Sequence, residues 1–250
     1  MSRTSAPLAE RQHLVENLRA IAELSPEDET GLLDLPLRVR DLAADTDIVR
    51  EGDRPTDCCV VLTGFLCRYR VTAGGKRQIM SFHLPGEIPD LQSLYLKVMD
   101  HNLGTLAPSR VALVAHEAVL ETIRLHPRIG AAFWRATLID AAIFREWTVS
   151  LGRRSAHGRI AHLICELGMR FGAVKMADNN TFPMPMTQSE LGDAMGLSAV
   201  HVNRTLMELR SEGLIDWRNG VMTVLDWDRL ASTAEFDPTY LHRDQAAVTL

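Results

Sequence analysis

Four neighbouring side chains near residue 200 carry groups suited to reading the edges of nucleic-acid bases. The guanidinium of Arg204 fits guanine and the amide of Asn203 fits adenine, while the apolar Val200 suits a thymine methyl group. His201 adds a ring nitrogen as a further reader. All four lie near the N-terminus of a predicted helix, where base-contacting residues lie in DNA-reading helices. The pattern predicts readout of double-stranded DNA, with Arg204 as the main contact, rather than catalysis.

The surrounding sequence predicts two short helices joined by a tight turn. Thr187 and Glu190 have the spacing of a capping box, and Ser198 can cap a second helix. Gly196 suits the left-handed exit from the first helix, and the small Gly192 stands where the two helices would cross. This is the layout of a helix-turn-helix, for which an ordinary helical hairpin is the alternative.

A predicted β-hairpin follows at Leu214 to Val224, where Asn219-Gly220 separates alternating apolar residues. Such a hairpin after the second helix is a wing. Because the helix-turn-helix and wing are not basic, we expect phosphate contacts from few side chains and from backbone amides. The candidates are Gln188, Ser189, Ser198 and Arg218, with a further contribution from Arg153, Arg154 and Arg159.

The composition is that of a soluble globular protein with one or two domains. The chain has 250 residues, 46% of them hydrophobic, and a net charge of −5. The negative charge argues mildly against DNA binding, although the local field is what matters. No apolar run is long enough to span a bilayer, the N-terminus lacks a secretory signal, and the four cysteines are scattered. We therefore expect a cytoplasmic protein with reduced thiols.

The region from Arg38 to Ala115 is predicted to be an all-β roll or barrel, because short β-rich runs alternate with turn signals. Within it, Phe65 to Val71 and Lys76 to Leu84 form a predicted hairpin around Gly74-Gly75. An amphipathic helix is predicted over residues 8–24.

A single long helix is predicted from Arg128 to about Gly152, followed by a helix over 156–171 and a polar connector over 173–184. Apolar residues recur in the long helix at alternating intervals of three and four, which is typical of helix pairing. The predicted seam is Ile129, Phe133, Ala136, Asp140, Ile143 and Trp147. We expect it to pair two copies of the chain, and packing against the chain's own β-domain is the alternative. Asp140 would be costly there if it were buried unpaired.

The chain resembles the Crp–Fnr family of bacterial transcription regulators from about Leu32 to Leu230. Besides the helix-turn-helix and wing, the resemblance rests on the segments Ile48 to Asp53, Val60 to Leu66, Leu84 to Glu87 and Gly158 to Ala161. It implies an α+β chain with an N-terminal, jelly-roll-like β-roll sensor, a dimerisation helix and a C-terminal winged helix. It also implies a homodimer on a palindromic promoter site, with RNA polymerase as a partner. The corresponding boundaries are 1–126, 127–153, 154–234 and a weakly ordered tail at 235–250.

This chain lacks the residues with which family members bind the best-known signals. Cyclic-AMP-responsive members carry Gly-Glu-Leu and Arg-Ser, where this chain has Pro89-Asp90-Leu91 and His101-Asn102. A phosphate buried beside Asp90 without its arginine would be unfavourable, so we expect no cyclic AMP binding by the usual mode. The candidate effector-pocket residues are Gly86, Glu87, Asp90, Leu91, His101, Asn102 and Arg70.

No other cofactor, metal site or catalytic motif is predicted. No cysteine precedes Cys58, and the adjacent Cys58-Cys59 suits no standard iron–sulfur cluster. The nearest axial ligands for haem would be His83 and His101, and a core or surface role is expected for both. Cys58, Cys59 and Cys67 are either small strand residues or a redox switch, and the first reading is favoured.

Overall fold

The computed structural model describes residues 7–243, and predictions for the first six and last seven residues lie outside it. The described chain divides into two compact units. The first comprises residues 7–70, 82–141 and 242–243, and the second comprises 71–81 and 142–241. Each unit is built around its own apolar core.

Two helices precede the strands of the first unit, α1 (Leu8–Arg19) and α2 (Pro26–Leu33). The predicted helix over 8–24 is therefore too long. A second start signal explains the break: Ser25 and Asp28 form a reciprocal capping box, with Pro26 at the first helical position. From α1, the Asn17 amide donates to the Gly86 carbonyl over 3.1 Å.

The predicted β-roll is confirmed, with two antiparallel sheets. Their strands are β1 (Arg38–Leu42), β2 (Asp47–Val49), β3 (Asp57–Thr63), β4 (Leu66–Val71), β5 (Arg77–His83), β6 (Asn102–Thr105) and β7 (Ser109–Ala115). The strand orders are β1-β7-β3 and β2-β6-β4-β5. One buried cluster between them comprises Val49, Cys59, Val61, Leu66, Met99, Leu103 and Val111. A 3-10 helix, Leu91–Leu94, lies between β5 and β6.

After the short α3 (His116–Leu125), the long predicted helix is present as α4 (Pro127–Arg153). Its predicted dimer seam is wrong in register. Ile129, Phe133, Ile143 and Trp147 are buried within the chain itself, so they offer no surface to a second copy. The alternative of internal packing accounts for this face of α4.

A second stripe of α4 is exposed instead. It runs one or two positions away from the predicted seam, through Trp134, Leu138, Arg145 and Val149, with Trp134 66% exposed. The sequence favoured the predicted seam because that seam alternates between intervals of four and three, whereas the exposed residues are four or seven positions apart and include a charged arginine.

Within the second unit, residues 156–234 form a winged helix-turn-helix. Its elements are α5 (Ala156–Ala173), β8 (Thr181–Pro183), α6 (Gln188–Met195), α7 (Ala199–Ser211), β9 (Ile215–Arg218), β10 (Val221–Val224) and α8 (Trp227–Ala234). The predicted connector over 173–184 contains β8, which pairs with β10 at the edge of the wing sheet. A three-residue strand is too short to show an alternating pattern.

The predicted tail is partly wrong. Residues Pro238–Leu241 form a 3-10 helix, and the Tyr240 hydroxyl donates to the carboxylate of Glu166 over 3.0 Å. Glu166, on α5, is completely buried and also accepts from Arg170 and from the Trp147 indole. The segment up to Leu241 is thus part of the core of the second unit. No helix in the described part of the chain is long and apolar enough to cross a bilayer.

Candidate nucleic-acid interface and effector pocket

The helix-turn-helix forms through the local signals read from the sequence. In the capping box of α6, the Thr187 amide donates to Glu190 over 2.6 Å, and the Glu190 amide donates to Thr187 Oγ1 over 3.2 Å. Gly196 leaves α6 with φ of 64°, the left-handed value that favours glycine. Ser198 caps α7 by accepting from the His201 amide over 3.3 Å. The start of α7, the second or recognition helix of the motif, is therefore fixed by a hydrogen bond from a backbone amide to the Ser198 side chain.

The crossing of α6 and α7 depends on Gly192. A Cβ atom at this position would lie 2.6 Å from the Leu197 carbonyl oxygen and 3.5 Å from Val202 Cγ2. No side chain fits at the first distance without a backbone shift. The inner face of α7 completes the packing, since Val202, Leu206 and Leu209 are fully buried.

The predicted readers lie on the opposite, solvent-facing side of α7. Val200 is 82% exposed, Asn203 and Arg204 are exposed, and His201 is half-buried. Arg204 Nε lies 3.8 Å from a carboxylate oxygen of Glu208, a loose contact between exposed groups. The structure thus brings these four side chains together at the N-terminal half of one accessible helix face.

Among the phosphate-contact candidates, Ser189 and Ser198 are exposed and Gln188 is half-buried at the first turn of α6. Gln188 Oε1 accepts a hydrogen bond from Asn203 Nδ2 over 3.2 Å. Arg218, at the exposed end of β9, pairs with Asp216 over 2.9 Å.

The wing is held against the rest of the second unit by two backbone-directed bonds. Arg210, at the end of α7, donates to the Trp217 carbonyl over 2.6 Å, and the Trp217 indole donates to the Met184 carbonyl over 3.2 Å. Asn219 and Gly220 both have positive φ, 52° and 72°, as the predicted two-residue turn requires.

Two acidic residues of this domain are already engaged inside the second unit. Asp193 accepts from Arg77 over 2.7 Å, and Glu190 is used in the cap of α6. Internal pairing reduces the negative field that their number suggests.

Two of the upstream arginines are also occupied, so they are not free phosphate contacts. Arg159 donates to the carbonyls of Arg154 and Met195, each over 3.0 Å, and thereby ties α5 to the C-terminus of α6. Arg154 lies 2.7 Å from the Glu146 carboxylate. Arg153 is exposed and remains a candidate.

In the β-roll, the candidate effector residue Asp90 is buried rather than open to a ligand. Its Oδ1 accepts from the Cys59 amide over 2.8 Å, and its Oδ2 has no hydrogen-bond partner within residues 7–243. Burial raises the pKa of this carboxyl to about 7, although the Cys59 hydrogen bond and the charge of Arg68 oppose the rise. Leu91, the next residue, is buried at the start of the 3-10 helix.

Arg68, on β4, is the main polar group of this region. It is buried, donates to the Pro89 carbonyl from Nε over 2.8 Å, and forms an ion pair with Asp140 of α4. Burial and the positive charge of Arg68 both lower the pKa of His83 and of His101. The missed signal was Asp140 itself, since an acid on an apolar helix face requires a cationic partner.

The other predicted pocket residues do not converge on Asp90. Arg70 pairs with Glu51 over 2.6 Å at the surface, and the Asn102 side chain accepts from the Glu51 amide over 3.1 Å. Glu87 is 3.1 Å from His83. Gly86 has φ of 87° and lies under α1, where a Cβ atom would be 2.1 Å from the His13 carbonyl oxygen. Arg70 and Asn102 thus share Glu51 as a partner, whereas Glu87 contacts His83.

The cysteines are all free and buried. Burial raises the pKa of the Cys58 thiol to about 12 and also raises that of Cys59, so little reactive thiolate is present near neutral pH. This favours the reading of these residues as small strand side chains.

A β-roll followed in the chain by a long helix and a winged helix-turn-helix defines a class of protein, the DNA-binding transcription regulators. Two family models match the chain, a cyclic nucleotide-binding domain over residues 39–126 and a Crp-like helix-turn-helix domain over residues 158–233. The chain belongs to the Crp/Fnr family of transcription regulators.

The curated relatives agree with this assignment. The chain is 27% identical over 203 residues to the transcriptional activator protein FnrA of Stutzerimonas stutzeri, covering 81% of this chain and 83% of the relative. It is 29% identical over 189 residues to the nitrogen fixation regulation protein FixK of Bradyrhizobium diazoefficiens, covering 75% and 78%. The solved structure of FixK2 from Bradyrhizobium japonicum superposes with a TM-score of 0.71 at 22% identity, covering 79% of this chain and 96% of that one, which supports the fold.

Proposed function

We propose that two copies of this chain bind a palindromic promoter site and that each recognition helix reads one half-site. The observation that carries the proposal is the solvent-facing group of Val200, His201, Asn203 and Arg204 on α7, behind which the helix is fully packed. Exposed hydrogen-bonding groups on a rigid helix meet the requirements of major-groove readout.

Arg204 is the main base contact in this proposal, and guanine is its partner. Arg204→Ala should weaken binding to the selected site by about 1–3 kcal/mol and blunt discrimination at one base pair. The measurement is a titration of full-length protein against duplexes selected from a randomised palindrome library. The assignment fails if the variant binds and discriminates as well as the wild-type protein.

The dimer contact proposed here is the exposed stripe of α4 that includes Trp134, Leu138 and Val149. These exposed apolar side chains lie on one face of α4, which supports pairing with a second copy of the same helix. Leu138→Glu should convert the protein to monomer in sedimentation and weaken binding to the palindrome much more than binding to a single half-site. If the Leu138→Glu variant remains a dimer, the dimer interface lies elsewhere.

The signal at the β-roll is proposed not to be cyclic AMP held in the usual mode. Support comes from the buried Asp90 and from Arg68, whose guanidinium is engaged by Pro89 and Asp140. Calorimetry with cyclic AMP should detect no stoichiometric micromolar binding. An iron–sulfur cluster and haem are likewise not expected, and an absorption spectrum of the purified protein tests both.

The competing function is an effector-binding module whose winged helix contacts proteins. It predicts no duplex binding, whereas the proposed function predicts duplex binding that falls steeply with salt. RNA polymerase is the proposed protein partner of the DNA-bound dimer, and co-binding on promoter DNA tests that partnership.

A further inference from the structure

The first turn of α6 contacts the reading face of α7 through one pair of side-chain amides. Asn203 Nδ2 donates to Gln188 Oε1 over 3.2 Å. Gln188 is the residue directly after the cap Thr187, so its backbone is held by the capping box. The close crossing at Gly192 sets the separation between the two helices. The Gln188 oxygen that accepts this hydrogen bond is therefore attached to the rigid start of α6.

This hydrogen bond leaves Asn203 with the groups that adenine needs. A side-chain amide has two N–H donors and one acceptor oxygen. Gln188 uses one donor, so one N–H and Oδ1 remain. Adenine presents one acceptor, N7, and one donor, N6–H, in the major groove. The remaining groups of Asn203 match this pair one to one.

We propose that Gln188 is a positioning residue that holds the Asn203 amide for adenine, an inference that rests on the proposed DNA-reading function. It changes the role of Gln188 from a phosphate contact, which is blind to sequence, to a determinant of specificity at one base pair. Holding the amide before binding reduces the rotamer freedom that Asn203 loses when it meets the base.

Arg204 differs from Asn203 in this respect. Its nearest acid, Glu208, lies at 3.8 Å on the same helix, and both side chains are at least half exposed. Such a contact restrains a long side chain very little. The Asn203 side chain is therefore oriented by α6 before DNA binds, whereas the Arg204 side chain becomes ordered only when it contacts the DNA.

The test uses full-length protein and the selected palindromic duplex, with each half-site base pair changed in turn to the other three. Four variants are compared with the wild-type protein: Gln188→Ala, Gln188→Glu, Asn203→Ala, and the double variant Gln188→Ala with Asn203→Ala. Ser189→Ala, next to Gln188 and exposed, is the matched control. Thermal melting verifies that each variant is folded. If Gln188→Ala melts at a lower temperature than the wild-type protein, the test relies on Gln188→Glu.

We expect Asn203→Ala to remove a preference for adenine at one position. Gln188→Ala should reduce that same preference about three- to tenfold, the range of one side-chain hydrogen bond, and should reduce it no further when Asn203 is already alanine. Gln188→Glu keeps an acceptor for Asn203, so it should weaken binding to every duplex through charge repulsion while retaining the adenine preference. Ser189→Ala should lower all affinities equally.

The inference is overturned if Gln188→Ala weakens binding to all duplexes equally, since that is the behaviour of a phosphate contact. It is also overturned if Gln188→Glu loses the adenine preference, or if Asn203→Ala alters no base preference. In each of these cases, base discrimination that is still lost in Arg204→Ala would leave the proposed DNA-reading function intact. If the wild-type protein does not discriminate among the duplexes, both the positioning role of Gln188 and the proposed DNA-reading function are overturned.

Discussion

The β-roll and the recognition helix each contain an arginine beside a carboxylate, and the two pairs differ in exposure. The side chains of Arg68 and Asp140 are 6% and 26% exposed, whereas those of Arg204 and Glu208 are 67% and 50% exposed. The buried pair joins a strand to α4 and has little access to solvent. The exposed pair is loose, so its arginine is available to a base or a phosphate.

This difference shows that burial, rather than residue type, separates an arginine that is fixed in the core from one that is accessible to a ligand. A buried charge that loses its partner is strongly destabilising, because desolvation is no longer compensated. An exposed pair contributes little to stability and exchanges its partner readily.

Asp140→Ala should lower the free energy of unfolding by about 3 kcal/mol, the low end for a broken buried pair, because a quarter of Asp140 is exposed. Urea unfolding measures the loss. The matched control is Glu208→Ala, which should cost less than about 1 kcal/mol and should slightly strengthen DNA binding by releasing Arg204. Equal losses in the two variants would contradict the contrast.

Gly192→Ala should destabilise the helix-turn-helix by about 2 kcal/mol and weaken DNA binding, since the new Cβ meets the Leu197 carbonyl. Gly172→Ala is the control, because no atom lies within 4 Å of a Cβ there. It should leave DNA affinity unchanged. If Gly192→Ala binds normally, the reading face does not depend on this crossing.

Asp90 makes stability depend on pH. Burial raises its pKa in the folded chain to about 7, from 3.8. Between these values the folded state holds a proton that the unfolded state has lost, so stability falls as pH rises. Asp90→Asn remains neutral and retains an acceptor for the Cys59 amide. It should gain at least about 1 kcal/mol relative to the wild-type protein between about pH 5 and 8 in urea unfolding. A constant difference across that range would argue for a charged Asp90.

Tyr240→Phe should give the smallest loss, about 1 kcal/mol, because only the hydroxyl bond to Glu166 is removed. Glu166 keeps its bonds from Arg170 and Trp147. Thermal unfolding of the full-length protein measures this loss of stability. An unchanged stability would mean that the segment after α8 contributes little to the core of the second unit.

Elements with strong local signals were predictable from the sequence. The capping residues Thr187 and Ser198, the Gly196 exit and the Asn219-Gly220 turn each act within a few residues, and each lies where it was expected. The candidate pocket was less predictable. Arg68 and Asp140 are 72 residues apart in sequence, and no local pattern announces their contact.

Local sequence signals were enough to predict the β-roll, the long helix and the winged helix-turn-helix, and their order along the chain. These depend on periodicity, capping and turn chemistry, which operate over short distances along the chain. Folding of the whole chain establishes which stripe of α4 is exposed, which arginine is buried, and that the side chains of Gln188 and Asn203 form a hydrogen bond. Those outcomes depend on packing between residues distant in sequence, because desolvation and contact are properties of the folded chain alone.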